Sequence, residues 1–295
     1  MKRIAITGLS GVIGQILLEE MDKSLDVIDL FHTRPYLNSI KIKEHQNLDL
    51  LDKAKIEEIL EKTKPSVVIH MAAVTHIDRC QADKKRGKNG KVWKINVAAS
   101  GEVAKFCAKH KVPIIFLSTE CVFDGKKEFF SENSLKNPIN WYGETKSVAE
   151  DLILESGTQA SIIRSVVAYH KNDDNKTIYG KILSELKSKN RVQAVDDQFF
   201  TPTYTYDIAH AINLILKNKL QGIYHVAPKK NLSPLDFALL IAERNGYSKS
   251  LVKGTSLKSF YGNERSSLRL RNASLLGLKT EKVLKFIPID PENTI

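Results

Sequence analysis

The sequence predicts an α/β fold, a Rossmann-type doubly wound parallel sheet followed by a smaller C-terminal lobe. Two observations support this prediction. A glycine motif follows a short apolar strand at the start of the chain, and short apolar strands then alternate with helical patterns until about residue 165. We therefore predict a first domain over residues 1–164, a smaller lobe over residues 165–295, and a segment near residues 202–226 that folds back onto the first domain.

The opening stretch has the pattern of a strand, a tight glycine turn and a helix. Residues 4–6 are apolar, Gly8, Gly11 and Gly14 follow, and a helical spacing of apolar residues begins at Val12. This pattern is typical of a dinucleotide-binding βαβ unit, in which unpaired N–H groups and the helix dipole hold the pyrophosphate. A plain glycine-rich turn is the alternative. The predicted cofactor contacts in this stretch are Gly8, Ser10, Gly11, Val12, Ile13 and Gly14.

The second predicted strand, Asp26–Phe31, bears on the choice between the two nicotinamide dinucleotides. An NAD-binding protein usually has a carboxylate at the end of this strand. Here the sequence at the end of the strand is FHTR, and Asp29 lies inside the strand. Because an arginine can bind a 2′-phosphate in bidentate fashion, we predict NADP(H) rather than NAD(H), with His32 and Arg34 at the cofactor.

A short extended segment is predicted next, at residues 47–51. Within it we assign Asp49 and Leu50 to the cofactor site. Asp52 can cap the helix that is predicted over residues 53–63.

The third apolar strand, residues 66–70, runs into a series of small residues. Small side chains at the carboxyl end of a parallel strand leave room for a cofactor, although a tightly packed corner would have the same composition. The assigned residues are Ala72, Ala73 and Thr75 for the cofactor and Val74 for the substrate.

Two helical patterns flank a strand that ends in hydroxyl groups. Residues 92–109 predict a helix that carries Asn96, which we assign to the cofactor. Residues 112–117 predict a buried strand that runs into two hydroxyl residues, the second of which is Thr119. The carboxyl end of a central strand is where such sheets bind ligands. The next helix is predicted over residues 141–155.

The pattern is looser in the last part of the chain. A strand is predicted at residues 160–165, a helix at 177–189, a strand at 222–226, and a helix at 233–245 with Ser233 as its N-cap.

Composition argues against several classes of protein. The chain has 295 residues, a formal net charge of +11, no apolar run long enough to span a bilayer and no signal-peptide pattern. Its lysines are dispersed without interleaved aromatic residues, so we predict no nucleic-acid surface, and we expect the basic run at residues 84–94 to be a solvated loop. Cys80, Cys107 and Cys121 have no metal or disulfide spacing. We therefore predict a cytoplasmic protein without a metal or a membrane partner, whose positive charge attracts an anionic nucleotide.

Tyr142 and Lys146 form the best catalytic candidate. They are four residues apart at the start of a predicted helix and so share one face. A free phenol has a pKa of about 10, and a nearby ammonium lowers it. Lowering it to about 7 needs about 4 kcal/mol, which a lysine in a dry site and an oxidised nicotinamide can supply together. Lysine is common enough in this chain for a chance pair, but the pair follows a glycine motif and Thr119, which would bond the substrate oxygen.

Seven segments, in order along most of the chain, carry a family resemblance. They are TGLSGVIG at residues 7–14, AAVT at 72–75, NV at 96–97, STECVFDG at 118–125, NWYGETK at 140–146, DQ at 197–198 with TPT at 201–203, and GIYH at 222–225. With them the chain resembles the dTDP-4-dehydrorhamnose reductase family of extended short-chain dehydrogenases/reductases. The resemblance implies Thr119, Tyr142 and Lys146 as the triad, with Lys146 also holding the nicotinamide ribose. It further implies NADPH or NADH as hydride donor, and a nucleotide-linked 4-keto sugar as the substrate of the C-terminal lobe.

The departures from the family pattern lie on the substrate side. The family usually has Asp-Tyr after the catalytic threonine, where this chain has Glu120 and Cys121, and a tryptophan where it has Val167. The late Arg-Pro motif is reduced to ERSS at residues 264–267. We assign Val74, Glu120, Cys121 and Val167 to the substrate, and the resemblance supports the cofactor and the reaction type better than the sugar.

Two other functions stay open at this point. One is a nucleotide-sugar epimerase or dehydratase on the same fold, which net cofactor consumption would separate from a reductase. The other is a non-catalytic NADP-binding regulatory subunit, against which the intact Thr119, Tyr142 and Lys146 argue. A homodimer is one assembly that the chain could form.

Overall fold

The computed structural model describes residues 2–37, 39, 41–171, 175–188 and 191–295. Its strands, in chain order, are β1 Arg3–Thr7, β2 Asp26–Phe31, β3 Ile42–Asn47, β4 Val67–His70, β5 Ile114–Thr119, β6 Phe130–Ser131, β7 Ala160–Ser165, β8 Ala168–Tyr169, β9 Val192–Val195, β10 Phe199–Phe200, β11 Thr203–Tyr204, β12 Gly222–Val226, β13 Val252–Thr255, β14 Asn272–Ala273 and β15 Leu275–Leu276. Its α-helices are α1 Val12–Glu20, α2 Lys53–Thr63, α3 Ile77–Asp83, α4 Lys91–Trp93, α5 Ser100–His110, α6 Trp141–Glu155, α7 Ile178–Lys187, α8 Thr205–Asn218, α9 Pro234–Arg244, α10 Leu257–Tyr261 and α11 Asn263–Ser266. A π-helical segment, Lys94–Ala99, joins α4 to α5.

One parallel sheet of seven strands organises the molecule. Its order is β12-β7-β5-β4-β1-β2-β3. The chain builds outward from β1 in both directions, so the strand order reverses between β1 and β4. In an open sheet of this kind, ligands bind in the crevice outside the carboxyl ends of the strands at such a reversal. The predicted Rossmann-type doubly wound sheet is confirmed.

Helices cover both faces of the sheet. Alternate residues of a strand point to opposite faces, and β1 follows this rule. Ile4 and Ile6 pack into a core with residues of α1 and α8, whereas Ala5 packs into a second core with residues of α2, α5 and α6. With both faces buried, the strand ends are the part of the sheet that is open to a ligand.

Polar N-caps fix where several helices begin. The predicted caps are confirmed at Asp52, which accepts a first-turn N–H of α2, and at Ser233, which forms a capping box at the start of α9. Asn140 caps α6, because its Oδ1 accepts the Gly143 N–H at 2.8 Å. This last cap sets the position of Tyr142 in the first turn of α6.

The extended segment predicted at residues 47–51 is misplaced. The strand is β3, Ile42–Asn47, and residues 48–51 form a loop and a turn. β3 is the edge strand of the sheet, and its residues alternate between half-buried and exposed. Its sequence, IKEHQN, therefore contains no apolar run that could reveal it.

The basic run at residues 84–94 is helical, not the loop that the sequence led us to expect. Lys84–Asn89 forms 3₁₀ turns that are interrupted at Gly87, and α4 begins after the extended residue Gly90. The Asp83 carboxylate accepts the Val92 N–H at 2.8 Å and so ties the two ends of the turns together. All six basic side chains of the run are exposed, so the expected solvation is kept.

The part of the chain after β7 returns to the sheet once. α8 packs against α1, and β12 pairs with β7. α7, α9 and the paired strands β9 and β13 build a separate core that contains Tyr179 and Phe237. The boundary between domains at residue 165 stays a prediction. The helix predicted at 177–189 is α7, and Lys189 lies outside the described residues.

No helix within the described ranges is both long enough and apolar enough to cross a bilayer.

Candidate active site

The turn after β1 is a tight backbone cradle in front of α1. Gly8 has φ +77°, and a Cβ there would lie 2.9 Å from the Ala72 nitrogen. A Cβ at Gly14 would lie 2.5 Å from the Leu9 carbonyl oxygen, where the helix packs on its strand. Both positions therefore require glycine.

The start of α1 fits the pyrophosphate of a dinucleotide. Gly11 is the N-cap residue, no side chain caps the helix, and its first turn contains no acidic residue. The first N–H groups of a helix have no partner inside it, so those of Val12 and Ile13 are available to an anion at the positive end of the helix dipole. Ser10 is exposed on the same turn.

The end of β2 offers no free carboxylate within the strand. Asp29 is buried, where its Oδ2 accepts a backbone N–H and lies 3.2 Å from His45 Nδ1. His32 and Arg34 are exposed just after the strand. The loop after β3 brings Asp49 to the same edge, 3.6 Å from His32 Nε2, so an acidic group does lie near the strand end. Leu50, the next residue of this loop, is buried.

Asn96 clamps the loop that follows β4. Its Oδ1 accepts the Val74 N–H at 2.8 Å, and its Nδ2 donates to the Val74 carbonyl at 2.9 Å and to Thr145 Oγ1 at 3.1 Å. Asn96 is buried in the π-helical segment, a feature that often marks functional sites. Its contact with a cofactor stays a prediction, whereas its hydrogen bonds tie the β4 loop to α6.

A buried polar chain under this loop was not predicted. Thr7 Oγ1 accepts the N–H groups of Met71 and Ala72 and lies 2.7 Å from His70 Nδ1. His70 Nε2 lies 3.0 Å from Ser100 Oγ. Burial lowers the pKa of His70 to about 3, so the ring is neutral and serves the loop structurally. The predicted ligand residues Ala72, Ala73, Val74 and Thr75 follow β4 at this point.

Thr119, Tyr142 and Lys146 come together at the carboxyl end of β5. Thr119 is the last residue of β5, Tyr142 lies in the first turn of α6, and Lys146 lies one turn later. The Thr119 hydroxyl lies near enough to the Tyr142 phenol to act on its ionisation. Lys146 Nζ donates to the Leu117 carbonyl at 2.7 Å, two residues before Thr119. The structure therefore brings the three predicted residues to one edge of the crevice.

The Lys146 amine is in an apolar environment. The residue is buried, and its Nζ lies 3.7 Å from the centroid of the Phe116 ring. Burial lowers the pKa of Lys146 to about 7, against the opposing effect of the Glu150 carboxylate one turn along α6. Near neutral pH the amine is therefore about half protonated.

The Tyr142 phenol is held in its protonated form. Burial raises the pKa of Tyr142 well above its usual range, Cys121 and Glu120 raise it further, and the Thr119 hydroxyl opposes them. This differs from the expectation that Lys146 lowers the pKa of Tyr142, because the Lys146 amine bonds the Leu117 carbonyl instead. A protonated phenol is the form that a proton donor needs.

Glu120 and Cys121, two of the four residues assigned to the substrate, contact Thr119. Thr119 Oγ1 lies 2.7 Å from Glu120 Oε2 and accepts the Cys121 N–H at 3.2 Å. Val74 packs in a small apolar cluster with Tyr142. Val167 lies two residues beyond the end of β7 and is 41% exposed.

Two bidentate ion pairs lie near the site, and no sequence motif indicated them. Arg164 forms a bidentate pair with Glu150, with N–O distances of 2.9 and 2.6 Å. Arg269 forms another with Asp78, at 2.6 and 2.9 Å, and so joins the late part of the chain to α3. Only the spacing of Glu150, four residues after Lys146 on one helix face, was visible in the sequence.

Within the part of the chain that the structure describes, no cluster of three or more His, Cys, Asp or Glu side chains could hold a metal ion.

Comparison with curated proteins finds relatives along most of the chain. Agl14 of Haloferax volcanii, a probable low-salt glycan biosynthesis reductase, is 26% identical over 275 residues, which are 92% of this chain and 88% of that protein. Methionine adenosyltransferase 2 subunit beta of Xenopus laevis is 27% identical over 253 residues, 82% of this chain and 72% of that protein.

Solved structures with the same fold cover the whole chain. A dTDP-4-dehydrorhamnose reductase from Clostridium acetobutylicum has a TM-score of 0.85 at 25% identity, covering 99% of this chain and 96% of that one. A dTDP-4-dehydrorhamnose reductase from Bacillus anthracis, in complex with NADP, has a TM-score of 0.84 at 23% identity, covering 100% and 97%. The family model of the RmlD substrate binding domain matches residues 1–290. Because that match spans nearly all of the sequence, the chain belongs to the RmlD substrate binding domain family.

Proposed function

We propose that this protein is an oxidoreductase of the short-chain dehydrogenase/reductase type that uses NAD(P)H to reduce a nucleotide-linked 4-keto sugar. The observation that carries the proposal is the meeting of Thr119, Tyr142 and Lys146 at the carboxyl end of β5, in the crevice that also contains the glycine cradle. The names of relatives support the reaction type, since they include a reductase and a dTDP-4-dehydrorhamnose reductase.

Each residue of the site has a separate role in the proposed reduction. The turn of residues 8–14 would hold the pyrophosphate of a nicotinamide dinucleotide, and that cofactor would supply the hydride. Tyr142 donates its phenolic proton to the keto oxygen as the keto carbon is reduced, so that the C=O group becomes an alcohol. The Thr119 hydroxyl bonds the same oxygen and orients it. Lys146, protonated in part near neutral pH, would bond the nicotinamide ribose.

The features of the β2 edge favour NADP(H) as the cofactor. Asp29, the carboxylate within β2, is buried and already hydrogen-bonded, whereas Arg34 is exposed beyond the strand end. A guanidinium in that position can bind a 2′-phosphate in bidentate fashion. Asp49 lies near His32 at the same edge and is the group that would favour NAD(H) instead.

A panel of nucleotide-linked keto sugars tests the function. Purified protein is mixed with NADPH and each sugar, and loss of NADPH absorbance is followed together with the sugar product. We expect stoichiometric NADPH oxidation and an alcohol product with at least one 4-keto sugar. An epimerase or dehydratase would convert its sugar without net consumption of NADPH, and that result would contradict a reductase.

A regulatory subunit is the second candidate, because one relative is named as the beta subunit of methionine adenosyltransferase 2. This candidate would replace the first if the protein bound NADPH tightly and reduced none of the sugars on a broad panel.

A further inference from the structure

Glu120 is a buried carboxyl group, and no cation in the described part of the chain is among the groups that act on its ionisation. The residue is 8% exposed, and the groups that act on its ionisation are Thr119, Cys121 and its own backbone. The other buried carboxyl of the site, Glu150, is 0% exposed and has the Arg164 guanidinium as a bidentate partner. An unpaired carboxylate is costly to bury, so burial raises the pKa of Glu120 and favours its protonated form.

The hydrogen bonds of Thr119 depend on that proton. A threonine hydroxyl has one hydrogen to donate and two lone pairs to accept with. Thr119 Oγ1 accepts the Cys121 N–H at 3.2 Å and lies 2.7 Å from Glu120 Oε2. An ionised Glu120 could only accept, which would commit the Thr119 hydrogen to it. A neutral Glu120 can instead donate to the second lone pair, and the Thr119 hydrogen is then directed to the Tyr142 side, where the substrate oxygen would lie.

We propose, on the basis of the reductase function proposed above, that Glu120 is a positioning residue: its neutral carboxyl donates a hydrogen bond to Thr119 and leaves the Thr119 hydrogen for the substrate oxygen beside Tyr142. Ionisation of Glu120 turns that hydrogen away from the substrate. It also places a negative charge near Tyr142, which has to become a phenolate during the reduction.

The direction of the pH effect follows from the geometry. The titratable groups that face Glu120 are Cys121 on the same turn and Tyr142 on α6, while Cys80 faces Tyr142 from α3. Burial raises the pKa of Glu120 above its usual range, and the neutral form is the active one, so turnover falls as pH rises through that raised pKa. Lys146, whose pKa is about 7, also loses its charge as the pH rises. A variant is therefore needed to separate the ionisation of Glu120 from the deprotonation of Lys146.

Infrared spectroscopy of the protein with labelled glutamate tests the proton without substrate or cofactor. We expect the C=O band of a neutral carboxyl at neutral pH, its absence in Glu120→Gln, and a shift of the band in Thr119→Val, because the donated hydrogen bond is lost. A wild-type protein without that band, or a band that Thr119→Val leaves in place, would overturn the proposal. This measurement stands even if no sugar is reduced, so failure of the proposed function is seen separately.

The kinetic test compares pH profiles of kcat. Glu120→Gln keeps the shape of the side chain and an N–H donor toward Thr119 at every pH, so its profile should lose one of the two ionisations on the alkaline limb. At a pH where wild-type Glu120 is ionised, the variant should be faster by up to about 10²-fold, the effect of one donor on a developing oxyanion. Glu144→Gln, an exposed carboxylate on α6 paired with Lys84, is the control and should keep the wild-type profile. Superimposable profiles for Glu120→Gln and wild type would contradict the proposal.

Discussion

Removal of Arg164 should strongly destabilise the fold, because it leaves a carboxylate buried without its partner. Arg164 and Glu150 are 2% and 0% exposed, and two N–O contacts of 2.9 and 2.6 Å join them. In Arg164→Met, the partners that Glu150 would keep among the described residues are the Ser118 hydroxyl at 2.5 Å and the Lys136 amine at 3.5 Å. Breaking a buried pair by removing one partner costs about 3–5 kcal/mol. That is a large part of the roughly 5–15 kcal/mol that stabilises a typical protein.

The assay is urea unfolding at pH 7.5, followed by fluorescence and circular dichroism. Lys109→Met is the matched control, because Lys109 pairs with Glu57 at 2.8 Å while both side chains are 59% exposed, and loss of such an exposed pair should leave the free energy of unfolding nearly unchanged. The double variant Arg164→Met/Glu150→Met should recover part of the lost stability, because the unpaired Glu150 carboxylate is removed as well. The reasoning is refuted if Arg164→Met and Lys109→Met lower the free energy of unfolding by the same amount.

Two further predictions concern the cofactor. In Gly11→Val the fold should survive, because Gly11 has an ordinary φ of −73°. A Cβ there lies 3.2 Å from the Gly8 carbonyl oxygen, and the branched side chain should cover the N-terminus of α1. Calorimetry should therefore find no NADPH binding to the folded variant, and normal affinity would show that the cofactor lies elsewhere. In Arg34→Ala the affinity for NADPH should fall by about 10- to 100-fold, while the affinity for NADH should not change. This fall corresponds to the loss of a charged hydrogen bond, which contributes about 1.5–3 kcal/mol. An unchanged ratio of the two dissociation constants would remove Arg34 from the site.

The elements that the sequence located best are those with a clear apolar pattern and a polar signal at their start. α2 follows Asp52 and α9 follows Ser233, and both helices begin where these caps place them. β3 carries neither signal, because an edge strand is paired on one side and its IKEHQN sequence meets solvent at every second residue. An apolar run marks a strand only where both faces of the sheet are buried.

The candidate site was predictable in its residue types but not in its partners. The four-residue spacing of Tyr142 and Lys146 is local and could be read from the sequence, whereas the direction of the Lys146 amine is set by the Leu117 carbonyl, 29 residues away. Glu120 and Thr119 are neighbours in sequence, so their contact is local. The burial that raises the pKa of Glu120 depends on the fold and could not be predicted from the sequence. Long-range packing therefore decides the protonation states that the chemistry depends on.

Substitution of the Tyr142 hydroxyl tests the proposed reduction most directly. The measurement is single-turnover oxidation of NADPH with a nucleotide-linked 4-keto sugar by wild type and by Tyr142→Phe, which keeps the ring and removes only the proton donor. We expect the variant to bind NADPH as tightly as wild type. It should reduce the sugar about 10²–10⁴-fold more slowly, because it lacks the general acid. Reduction by Tyr142→Phe at the wild-type rate would contradict the assignment of the proton to Tyr142.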